Sequence, residues 1–101
     1  MTEELKRKVE FVKELNKTIP QYVRNVESIR YDVFKNTNQS WYFEFLVINY
    51  VGGGKTARIC TGDSFTAIFS EISKYLNQGY YSELDLYKQI ETGSNIVKVS
   101  E

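Results

Sequence analysis

The run WYFEFLVINYV at residues 41–51 constrains the fold more than any other segment of this chain. Most of its side chains are aromatic or β-branched, the composition of a strand. It is bracketed by turn signals: Lys35, Asn36, Thr37, Asn38, Gln39 and Ser40 before it, and Gly52, Gly53 and Gly54 after it. Upstream, residues 26–34 alternate, with Ile29, Tyr31 and Val33 on one side and Arg30, Asp32 and Phe34 on the other. Downstream, residues 55–61 read as a shorter strand. Three consecutive strands joined by short turns predict an antiparallel meander.

Around this core the apolar period changes from two to about 3.6. Leu5, Val9, Val12 and Leu15 stand at helical spacing in residues 3–17, with the pairs Glu3/Arg7 and Glu4/Lys8 on the wet side. The basic run Lys6, Arg7, Lys8 is interleaved with Glu3, Glu4, Glu10 and Glu14, so it reads as a solvated helix face. Pro20 is expected to end this helix. After Gly62, Asp63 or Ser64 can cap a second helix carrying Phe65, Ile68, Phe69, Ile72, Tyr75 and Leu76, closed near Gly79. Ser82 and Asp85 resemble a capping box that opens a last helix to about Glu91, ended by Gly93. The expected fold class is α+β: a helix, a three-stranded antiparallel meander and two C-terminal helices. One domain over residues 1–93 is expected, followed by a frayed tail, 94–101, in which Ile96, Val97 and Val99 can add a short edge strand.

Side chains of a strand alternate between its faces. If Ile29, Tyr31, Val33, Phe43, Phe45, Val47, Ala57 and Ile59 face the helices, then Tyr42, Glu44, Leu46, Ile48 and Tyr50 face outward. Phe34, Arg30 and Arg58 would join them. That outer face is too apolar for bare solvent, so it is either covered by a helix or offered to a second copy or a partner.

The chemistry is bounded by an absence. The 101 residues contain no histidine and one cysteine, Cys60. Ser-His and Cys-His nucleophile activation are thereby excluded, as are most zinc sites. No catalytic residue, metal ligand or cofactor is expected. Cys60 reads as a small strand residue with no histidine to activate it. Glu44, among Tyr42, Phe43 and Phe45, is expected to pair with Arg30 or Arg58. The motif Gly52, Gly53, Gly54, Lys55, Thr56 is not a phosphate loop: Asn49 stands where its first glycine belongs, and a strand follows instead of a helix. One cysteine cannot close an internal disulfide, and no stretch approaches the roughly 20 apolar residues of a membrane span, so a cytoplasmic setting is expected.

Thirteen basic and thirteen acidic side chains cancel, whereas a dedicated nucleic-acid binder carries a basic surplus. Residues 61–101 hold three Lys or Arg against six Asp or Glu, a mildly acidic half. Two surfaces can carry a binding function. One is the corner holding Tyr80, Tyr81, Glu83 and Asp85, whose tyrosines suit a protein interface and could equally be core and caps. Its acidity argues against a DNA-recognition helix. The other is the outer sheet face, where Tyr42, Tyr50, Arg30 and Arg58 could stack on and pair with single-stranded nucleic acid, the alternative reading.

The order helix, meander, helix, helix, together with the segment ICTGDSFTAIFSEISKYLNQGYYSELDLYKQIE at residues 59–91, resembles the small phage-encoded anti-CRISPR proteins that inhibit the effector nuclease of type II systems. The resemblance implies a non-catalytic inhibitor that occupies the nuclease's DNA-flank site with acidic side chains. Glu83, Asp85 and Asp63 are the positions that would match, with a host protein as partner. Family members are strongly acidic, whereas this chain is neutral and carries Lys55 in its glycine turn. A double-stranded-RNA-binding domain also runs helix, three strands, helix, but its lysine-rich second helix start is missing at residues 63–67.

Overall fold

A computed structural model of the chain describes residues 2–60 and 83–100. Helix α1 spans Glu3–Tyr22, followed by strands β1 (Val26–Asn36), β2 (Tyr42–Tyr50) and β3 (Lys55–Ile59), helix α2 (Leu84–Glu91) and strand β4 (Ile96–Lys98). The architecture is α+β, with one antiparallel sheet in the order β3-β2-β1-β4. The helix expected near residues 63–78 lies outside the described residues.

Thr2 caps α1, its hydroxyl oxygen accepting from the Leu5 amide at 3.2 Å. The helix runs past Pro20, which was expected to stop it, and ends as the Val23 amide bonds to the Ile19 carbonyl at 2.9 Å. Near the end of a helix, proline removes one bond and leaves the following turn intact. In the β2–β3 turn, Gly52 and Gly53 hold φ of +94° and +101°, where a β-carbon is strained. Lys55 then starts a strand, as the rejection of the phosphate loop required.

The sheet has two apolar faces. Leu5, Val9 and Val12 of α1 pack on Val26, Ile29, Tyr31, Val33, Leu46 and Ile48. On the opposite face Phe34, Phe45, Val47 and Ala57 pack with Tyr87 of α2. Phe34, Phe45 and Tyr87 form a closed edge-to-face trio, with ring centroids 5.3 to 6.2 Å apart.

This corrects the expected partition of the faces. Ile29, Tyr31 and Val33 share a side with Leu46, Ile48, Tyr42 and Tyr50, and not with Phe43, Phe45 and Val47. The cause is register: Lys35 pairs with Tyr42, so an even number of residues, 36–41, lies between partners and odd positions of β1 face even positions of β2. The expected grouping of β2 with β3 holds, since Val47 pairs with Ala57 and Phe45 with Ile59.

The edge strand that Ile96, Val97 and Val99 were expected to be able to add forms against β1, and the rest of the described tail follows it. Lys35 pairs with Val97, the Val99 amide bonds to the Val33 carbonyl at 2.8 Å, and Ser100 is buried. Among the described residues the sheet therefore has four strands, the three of the expected meander and β4.

Candidate functional site

Each face of the sheet holds a buried charged group. Under α1, the Lys8 ammonium lies 3.2 Å from a Glu44 carboxylate oxygen, and that same oxygen accepts the Tyr31 hydroxyl at 2.7 Å. Lys8 retains only 4% of its exposure, so the basic run is not uniformly solvated: Lys6 and Arg7 are exposed and Lys8 is not. The partner expected for Glu44 was Arg30 or Arg58. The register instead sets Glu44 opposite Val33, under α1, and turns Arg30 to the other face. Lys8 lies three residues after Leu5, on the edge of the apolar stripe, a placement that spacing alone could have revealed. Burial, followed by the neighbouring Cys60 and Glu44, pushes the Tyr31 hydroxyl above its ordinary pKa. Cys60 itself is buried in this core, its carbonyl 3.1 Å from the Tyr31 hydroxyl.

On the α2 face, Asp32 is 3% exposed and is surrounded by donors. The Tyr87 hydroxyl reaches Asp32 Oδ2 at 2.7 Å, Arg30 bonds both carboxylate oxygens at 3.3 to 3.4 Å, and Lys98 lies 3.4 Å from Oδ1. Burial first, and then Asp32, pushes Tyr87 above its ordinary pKa as well. Nothing in the spacing of residues 32, 87 and 98 signals this cluster, because docking of the C-terminal segment creates it.

The expected interface residues are split. Tyr80, Tyr81 and Asp63 lie outside the described residues. Glu83 is drawn into the edge of β3: its amide bonds to the Ala57 carbonyl at 2.7 Å, and its carboxylate accepts the Ile59 amide at 3.3 Å and faces Arg58 at 3.6 Å. Asp85 is exposed in the first turn of α2. The alternative set is not brought together on one open face either. Tyr42 and Tyr50 pack on the α1 core, Arg30 belongs to the Asp32 cluster, and Arg58 reaches Glu83. All four side chains are half-buried.

Large apolar side chains escape burial at one end of the sheet. Trp41 is 53% exposed and precedes Tyr42, which pairs with Lys35, which in turn pairs with Val97, 47% exposed. The Lys35 ammonium sits 5.8 Å from the centre of the Tyr42 ring. Val51 and Leu86, the other exposed large apolar residues described, lie apart, beyond the far end of β2 and on α2. Among the described residues, no helix is long and apolar enough to cross a membrane, and no three His, Cys, Asp or Glu side chains gather as metal ligands would.

Neither a family model, nor a curated protein, nor a solved structure matches the chain.

Proposed function

We propose that the chain is a non-catalytic protein-binding module that acts by occupying the surface of another protein. The carrying observation is Trp41, left 53% exposed beside the row Tyr42, Lys35 and Val97. Tryptophan is among the most frequent interface anchors, and it costs little side-chain entropy to fix. A folded chain with two filled cores has no packing reason to leave its one tryptophan in water. The sharpest form of the reading follows the resemblance: an inhibitor of phage or mobile-element origin whose partner is a CRISPR effector nuclease, with exposed Asp85 as its acidic contact.

The test is capture by the immobilised chain from nuclease-treated bacterial lysate and, in parallel, of a purified type II effector. One protein retained by the native chain and lost with Trp41→Ala, at unchanged thermal stability, supports the reading. Equal retention by both chains, or retention only of nucleic-acid-borne proteins without nuclease treatment, refutes it. Failure of the purified effector alone removes the CRISPR form and leaves the broader one standing.

A further inference from the structure

A cavity of about 130 Å³ lies between α1, β1 and the C-terminal segment, lined by Lys13, Arg30, Tyr31, Asp32, Lys98 and Ser100 among others. We propose that it binds a phosphate-class oxyanion, held by Lys13, Arg30 and Lys98. The residues lining it include three cationic ones and one acidic one. That carboxylate, Asp32, is already engaged by Tyr87, Arg30 and Lys98, and so it fixes the two cations in place. A guanidinium has five N–H donors and an ammonium three, which leaves donors over for a second anion. Arginine's planar fork suits a phosphate in particular.

Neutral donors converge on the same place. Ser100 Oγ accepts the Val33 amide at 2.8 Å, so its own proton is left to donate elsewhere. Val33 turns both its amide and its carbonyl towards the C-terminal segment. Strand alternation turns the Tyr31 amide, two residues earlier, towards the same edge. Two further acids adjoin the site. Glu10 lies 3.3 Å from Lys13 and is largely exposed, and Glu91 reaches the cluster only through Tyr87. The volume exceeds what a single water needs and accommodates one tetrahedral oxyanion.

The test is a titration of the full, ¹⁵N-labelled chain with inorganic phosphate against sodium chloride at matched ionic strength. Saturable amide shifts confined to Tyr31, Asp32, Lys98, Ser100 and their neighbours are expected. Lys13→Glu, a change at a half-exposed side chain, should weaken binding by about tenfold or more. Lys98→Gln should also weaken it. Phenyl phosphate separates the sources: affinity above that for inorganic phosphate assigns a phosphomonoester, and its loss assigns the free ion. No saturable shift, shifts centred elsewhere, or unchanged affinity in Lys13→Glu overturns the proposal.

Discussion

Replacing Glu44 by glutamine tests whether the polar group under α1 behaves as a buried ion pair. The amide keeps the shape and an acceptor for Tyr31, but it leaves the Lys8 ammonium without its partner at 3.2 Å. The Lys8 side chain is 5% exposed, and the next carboxylate, Glu4, is 4.0 Å away and 62% exposed. Breaking a buried pair from one side costs about 3–5 kcal/mol, and an exposed partner such as Glu4 restores less than about 1 kcal/mol. Glu44 is itself 20% exposed, so water reaches the site and the low end applies, about 3 kcal/mol. For a chain of this size that is roughly 12–24 °C in Tm. Lys8→Met should cost less, about 1–2 kcal/mol, because the remaining carboxylate keeps the Tyr31 hydroxyl and partial solvation. Urea unfolding of the two single variants and the double variant closes a cycle, whose coupling should exceed about 1 kcal/mol. A Glu44→Gln cost under about 1 kcal/mol, or strict additivity, would refute the ion-pair account.

Three further outcomes follow from the same geometry. Glu83→Ala should cost about 1–3 kcal/mol by removing the acceptor of the Ile59 amide, whereas exposed Asp85→Ala should stay within about 0.5 kcal/mol; equal values in denaturant melts would show that Glu83 is a surface charge. A chain ending at Gly93 loses β4, the Val33 contacts and Lys98, and should be less stable by about 2–4 kcal/mol, with an unchanged urea midpoint counting against the docked tail. The Tyr31 hydroxyl titrates above its ordinary value of 10.0 in the folded chain, so its contribution is complete below that pH and is lost as pH rises beyond it. Urea midpoints between about pH 9 and 12 should therefore fall, less steeply in Tyr31→Phe; because Tyr87 shifts the same way, the slope should not vanish.

The first helix and the three strands after it were legible because period and turn chemistry are local. Residues 41–51, the glycine turn and the stripe Leu5, Val9, Val12 each declare themselves within a few positions. What pairs with what was not. Both alternating sets of β2, Tyr42, Leu46 and Ile48 against Phe43, Phe45 and Val47, are apolar, so hydrophobicity does not say which lies under α1. Loop length decides that, and one residue more or less reverses every face. The Asp32 cluster was equally hidden, because it joins β1, α2 and β4 across long sequence separations. Of the site residues proposed from sequence, Asp85 stands exposed in the first turn of α2, while Glu83 is engaged by β3 in a way that only the fold reveals.

The buried charges supply the discrimination that the apolar pattern lacks. A slip of β1 against β2 by one residue would keep apolar side chains on both faces. It would also carry Glu44 to the opposite face, beside Phe34 and Tyr87, and leave Lys8 under α1 with the exposed Glu4 as its remaining carboxylate. By the reasoning applied to Glu44→Gln, that error costs several kcal/mol. Replacing both residues with apolar ones, Lys8→Met with Glu44→Leu, should therefore leave overall stability near that of the native chain while removing the preference for one register. The expected signature is a second set of amide resonances for residues 42–50, or their broadening by exchange, in a variant that still unfolds cooperatively. A single sharp set would show that loop 37–41 fixes the register by itself and that the ion pair is retained for another reason.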